Sequence, residues 1–217
     1  MSRGLTGFYR IGGAAFVVSG LLFVSRAALE FAAGEPPSNG TEILAWIASH
    51  SLAISLISEI LFFATVLLVP AVIALYHSLA AVDPVKAAIG CGIIAVVIPL
   101  LAVLLIVHGR LVYPVYGLRA GTPDQAALVV AVFYGGMHVV DLLMAVATII
   151  LSLAMKGGPY GKPVAYLGFA TALFDIIGSY PFAIGPLLTL VCRLFFAAWF
   201  IAAGCRLYRM CEDQATA

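Results

Sequence analysis

Charge is what this sequence has least of. Its 217 residues include 11 lysines and arginines and 10 aspartates and glutamates, 10% of the chain. A domain in water carries about a quarter charged residues to keep its surface wet. That scarcity excludes an ordinary soluble globule. The near balance of signs, a formal net charge of +1, leaves no basic stripe for a nucleic acid. Cysteine is sparse as well. Cys91, Cys192, Cys205 and Cys211 form no C-x-x-C pair and lie in or beside apolar runs, where cysteine acts as a small hydrophobe, so no disulfide framework or zinc site is read. There is no G-x-S-x-G, Walker loop or H-E-x-x-H, which removes the common signatures of hydrolases, nucleotide binders and zinc proteases. No polar stretch is long enough for a separate soluble domain, so 1–217 reads as a single integral membrane domain.

What is present is apolar sequence, 64% of the residues. A helix rises about 1.5 Å per residue and the hydrocarbon layer is about 30 Å thick, so a crossing needs about 20 apolar residues. Six segments reach that length: 11–33, 52–75, 87–107, 131–155, 164–182 and 187–207. Their separators carry turn chemistry, as in Gly34 with Pro36 and Pro37, Asp83-Pro84, Gly121 to Pro123, Gly157 to Pro159, and Gly185-Pro186. The first segment follows Arg3 and Arg10 as a signal peptide would. Its apolar character resumes from Ala27 to Ala33 after Arg26, which favours a retained span. The expected fold is therefore all-α, a polytopic membrane bundle of six transmembrane helices. Placing both termini in the cytoplasm puts Arg3, Arg10, Lys86, Lys156, Lys162, Arg206 and Arg209 inside, against Arg26, Arg110 and Arg119 outside, in agreement with the positive-inside rule.

Local signals refine this outline. Thr122, Pro123 and Gln125 supply an N-cap, a first-turn proline and a capping-box partner, so the fourth helix is expected to start well before its apolar run. Residues 41–47, TEILAWI, read as a short amphipathic helix on the outer interface with Trp46 at headgroup depth. Pro70 and Pro99 should bend the second and third spans, because each removes a backbone donor.

Function is sought in the ionisable residues inside the spans: Glu59, Asp141, Asp175 and Arg193, with His138 one turn before Asp141. Translocon-derived scales put Asp or Arg at a helix centre at about +2.5 to +3.5 kcal/mol each, so such groups should face inward and one another. Counted from the outer end of each span, Glu59 and Asp175 lie about 10 Å deep, Asp141 about 15 Å and Arg193 about 9 Å. Agreement among four helices of alternating direction predicts one cluster in the outer half. Tyr134, His138 and Asp141 share a helix face, and Arg26 with Glu30 forms an i, i+4 pair above it. The candidate binding set is Glu59, Tyr134, His138, Asp141, Asp175 and Arg193. The alternative is that Arg193 and one acid merely lock helix packing. A metal held by His138, Asp141 and Glu59, or a haem between His108 and His138, lacks the supporting motif, and no cofactor is assigned.

The order of features, with Tyr9-Arg10-Ile11-Gly12-Gly13 opening the first span, Ala74-Leu75-Tyr76-His77 ending the second and Lys162-Pro163 introducing the fifth, resembles the bacterial six-helix membrane proteins of the DUF4386 family. The resemblance implies topology and a location in the bacterial cytoplasmic (inner) membrane. That family has no assigned function, so no site residue is transferred from it. Three functions compete on the residues alone. The first is binding or transport of a small molecule or ion, with the acids exchanging a proton or cation. The second is an intramembrane enzyme that uses a buried carboxylic acid on a lipid or isoprenoid-like substrate. The third is a structural or assembly subunit. Membrane lipids are the expected surroundings, no nucleic acid is a partner, and a homodimer would supply the symmetry that a transporter of this size lacks.

Overall fold

The computed structural model describes the backbone of residues 3–215 and the side chains of 7–210; the side chains of Arg3 and Cys211 lie outside the described residues. The described chain is helical almost throughout: α1 Arg3–Ala33, α2 Gly40–Ala80, α3 Pro84–His108 with a 3-10 turn at Gly109–Leu111, α4 Pro123–Lys156, α5 Gly161–Gly178, α6 Pro181–Ile184 and α7 Pro186–Ala215. Five helical segments are long and apolar enough to cross a membrane: Gly7–Ala33, Gly40–Ala80, Pro84–Leu111, Pro123–Lys156 and Pro186–Met210. α5 is not among them. Its 18 residues reach about 27 Å, short of the hydrocarbon thickness, and they include Lys162 and Asp175. The expected fifth span, 164–182, is also cut at its end. Ser179 and Tyr180 leave the helix, and Pro181 starts the separate four-residue α6.

α1, α2, α3, α4, α5 and α7 pack in a closed ring, each against the next, with α7 returning to α1. The α1–α7 seam is antiparallel. Phe16 meets Phe200 with ring centroids 5.3 Å apart, Phe23 meets Phe196 at 4.9 Å, and Arg10 Nε donates to the Tyr208 hydroxyl at 2.9 Å. Both ends of the described chain therefore lie at one end of the ring. The outward faces are apolar, as Phe63, Val66, Ile89, Val103, Val146 and Leu153 are all exposed. A continuous apolar exterior of this kind belongs against lipid. With five helices of spanning length, it makes the chain a membrane-embedded helical protein.

The turn signals act where the sequence places them. Thr122 Oγ1 accepts from the Gln125 amide and Gln125 Oε1 accepts from the Thr122 amide, completing the capping box of α4. Asp83 caps α3, and the Lys86 ammonium hydrogen-bonded to it holds its carboxyl below the usual range. Pro70 and Pro99 are accommodated within continuous helix. α2 breaks at His50, with φ −120° and ψ 22°. The break separates a short leading helix, which contains 41–47, from the long apolar one. Trp46 Nε1 donates to the Ala33 carbonyl at 2.9 Å, and Ile43, Ile47, Leu111 and Ala126 form a small second core there. The indole thus ties this helix to the end of α1. Trp46→Phe keeps the ring and loses one hydrogen bond. It is expected to cost about 1 kcal/mol and to speed amide exchange across the leading helix of α2.

Candidate functional site

Helix ends decide which side chains can meet. α1 ends, α5 ends and α7 begins at the end of the ring away from the termini, so residues counted back from those points share a level. Arg26 and Glu30 lie within the last two turns of α1, Asp175 in the last turn of α5, and Arg193 seven residues into α7. Two contacts set the register of α4 against α5. Gly168 lies against Ser152 Oγ, and the His138 Nδ1–H donates to the Ser179 carbonyl at 2.8 Å. Between these contacts, Asp141 comes level with Asp175.

The centre of the site is an ion pair between α7 and α4. Arg193 Nη1 donates to Asp141 Oδ1 at 2.7 Å, with the two side chains only 18% and 6% exposed. Beside it Arg26, 6% exposed at its side chain, binds Glu30 Oε1 through Nε at 2.8 Å and Nη2 at 2.6 Å. Asp175 is buried behind the Asp141–Arg193 pair. Among the described residues, its Oδ2, the Asp141 Oδ2 and the Arg193 Nε have no hydrogen-bond partner.

Two cavities meet at these charges. A vestibule of about 1060 Å³, counted to its open mouth, has Phe31, Tyr134 and Phe182 on its walls, Glu35, Pro36 and Pro37 at its rim, and Arg26, Glu30 and Arg193 at its floor. A much tighter inner pocket, with room for little more than a water molecule or two, lies on the other side of that floor. Asp141 lines it among apolar side chains such as Phe23, Leu61, Leu68, Leu101 and Phe196. Arg26, Ala27, Glu30, Met137 and Arg193 border both cavities and form the neck between them. α6 hangs beside the mouth and carries Phe182, 81% exposed. It reaches α7 through Gly185 at φ 74°, a left-handed backbone that glycine adopts without strain.

No family model, curated protein or solved structure matches this chain. The site is therefore read from its own chemistry.

Of the six residues expected to form it, Asp141, Asp175 and Arg193 come together, and Tyr134 lines the vestibule above them. His138 is turned aside. Besides its bond to Ser179 it packs edge-on against Tyr180 at 4.9 Å, and it lines neither cavity. Glu59 does not belong to the cluster. It is exposed and lies by Tyr113, whose hydroxyl donates to the Ser55 carbonyl at 3.4 Å. The inward stripe of α2 is Ile54, Ser58, Leu61, Thr65 and Leu68, and a residue next to Ser58 stands about 100° around the helix from it. Separation of Glu59 from His138 and Asp141 also breaks up the trio weighed as metal ligands. Among the described residues no group of three His, Cys, Asp or Glu side chains is arranged to hold a metal ion. His108 and His138 have separate partners: His108 Nδ1 is 2.7 Å from Ser58 Oγ, and its ring lies on Phe133 at 4.2 Å. The residues underweighted in the sequence are Arg26 and Glu30, taken there as the outer end of a span. They share a stripe with Ser19, Phe23 and Ala27 at i, i+4, i+7, i+8 and i+11 spacing, and that stripe was the available signal.

Proposed function

We propose that this chain is a multi-pass membrane protein that binds, and by the same cavity transports, a small molecule or ion. The observation that carries the reading is the neck: two ion pairs from three helices, set between a wide vestibule and a narrow inner pocket. Buried ion pairs are costly, and apolar replacements often serve stability equally well. Two of them at the junction of two cavities are better suited to meeting a ligand than to holding helices together. The enzyme reading is weaker on geometry. A general acid must touch its substrate, yet Asp175 lines neither cavity and Asp141 is engaged by Arg193.

In this reading all six long helices cross the membrane, α5 with its ends drawn in, because α5 closes the ring between α4 and α7. The termini face the cytoplasm of a bacterial inner membrane, since Arg10, Lys86, Lys156, Lys162, Arg206 and Arg209 gather at their end of the ring. The vestibule then opens outward. Purified protein in liposomes is expected to show saturable uptake of, or to be thermally stabilised by, some member of a panel of amines, organic acids and inorganic ions. Arg26→Gln and Glu30→Gln should each weaken that response. Neither uptake nor stabilisation across the panel would defeat the proposal.

A further inference from the structure

We infer that the vestibule takes an amphiphilic organic cation, such as an ammonium with an aromatic or alkyl body, in preference to an anion; this rests on the binding reading above. The first ground is charge. The four neck charges cancel in pairs, Arg26 with Glu30 and Arg193 with Asp141. What is left over is acidic: Glu35 at the rim, in no ion pair among the described residues, and Asp175 behind the neck. With Asp175 neutral, Glu35 alone still makes the cavity negative. The surroundings agree. The end of the ring that bears the mouth carries Glu30, Glu35, Glu42, Glu59, Asp124, Asp141 and Asp175 against Arg26, Arg110, Arg119 and Arg193. An acid-rich mouth in low-dielectric walls concentrates cations and repels anions.

The second ground is the walls. Phe31, Tyr134 and Phe182 flank the vestibule, and aromatic faces attract a desolvated cation through their quadrupoles while also accepting an apolar body. Between them, Leu190, Val130 and the rim prolines offer no competing polar groups. The third ground is an open acceptor. Asp141 is 4% exposed and lines the inner pocket, and its Oδ2 has no hydrogen-bond partner among the described residues. A buried carboxylate oxygen without a donor is a costly group, and an ammonium N–H passing the neck would satisfy it. Among the described residues Arg193 Nε is likewise without a partner, so the neck offers one open donor beside one open acceptor, and the preference for a cation rests on Glu35 and the aromatic walls.

Tetraphenylphosphonium and tetraphenylborate have nearly the same shape and opposite charge, so the protein's preference for sign is what remains once each ion's own partition into lipid, which the dipole potential makes larger for the borate, is subtracted. Equilibrium dialysis against the full chain in nanodiscs, with empty nanodiscs as background, should show saturable binding of the phosphonium and at least about tenfold weaker saturable binding of the borate. Glu35→Gln, a change in an exposed loop with no packing to lose, should weaken phosphonium binding about three- to tenfold, with a smaller effect at high salt. Phe182→Ala on the exposed α6 should weaken it by a similar factor. Equal binding of the two ions, a preference for the borate, or a Glu35→Gln protein that binds the phosphonium unchanged would overturn the cation assignment and leave the vestibule a ligand site. No saturable binding of either ion would overturn the assignment and count against the binding reading as well, which the uptake panel then decides.

Discussion

Asp141→Asn is expected to destabilise the protein by about 3 kcal/mol, because it leaves the Arg193 guanidinium buried without its counter-charge. The usual range for breaking a buried pair is about 3–5 kcal/mol. The lower end applies here because the Arg193 side chain is 18% exposed towards a cavity that water can enter. Arg193→Gln should cost a similar amount for the reciprocal reason. The double change Asp141→Leu with Arg193→Met should recover most of the loss, since it removes both charges and keeps apolar volume. Asp175→Asn is the internal control. Asp175 makes no ion pair, so its amide isostere should shift stability by less than about 1 kcal/mol. Thermal unfolding in detergent or nanodiscs orders the four variants. If Asp141→Asn melts with wild type, the pair has no structural weight; if Asp175→Asn melts as low as Asp141→Asn, Asp175 is bound into the pair more tightly than its geometry indicates.

Gly204→Ala should cost about 2 kcal/mol, although it adds a single methyl group. A Cβ at Gly204 would stand 2.8 Å from the Gly13 carbonyl oxygen, the Phe16 Cβ and the Val17 nitrogen, closer than real Cβ atoms approach. Two of those three atoms are backbone, so no side chain can rotate away and α1 must move off α7. Close approach through small residues is how helices gain contact in lipid, where the hydrophobic effect no longer drives them together. The same seam carries Arg26 on α1 and Arg193 on α7, so Gly204→Ala should also weaken whatever binds at the neck. Gly92→Ala is the contrast. A Cβ there meets nothing within 4 Å, and alanine in place of glycine in a helix interior should stabilise by about 0.5–1 kcal/mol. A common response from both glycines would mean that the seam is looser than it looks.

Much of the outline was legible before any coordinates. Long apolar runs split by Gly and Pro mark the helices because lipid leaves the backbone no other partner than itself. The Thr122–Gln125 box and the 41–47 helix were readable because capping and amphipathic spacing are local. The approach of Asp141, Asp175 and Arg193 followed from depth counting, since depth depends only on helical rise and on where each helix turns. Azimuth is another matter. Glu59 has the right depth and the wrong direction, because a helix residue turns about 100° from its neighbour and the polar–apolar contrast that reveals the inner face is nearly absent when lipid and core are both apolar. Arg26 and Glu30 were misjudged for a related reason. They lie close to a helix end, where polarity is expected at the headgroups, and α7 covers them only once the ring has closed.

The sequence by itself determined that this is a helical membrane protein, where its chain turns, and that charge is concentrated towards one end. Those properties depend on composition, rise per residue and turn chemistry, all of them local. Only the tertiary structure decided that α5 stops at Gly178, that Arg193 pairs with Asp141, that Arg26 and Glu30 share their floor, and that Glu59 faces elsewhere. These are questions of how each helix is rotated about its axis and which neighbour it meets, and small-residue contacts such as Gly13 with Gly204 settle them across nearly 200 residues of chain.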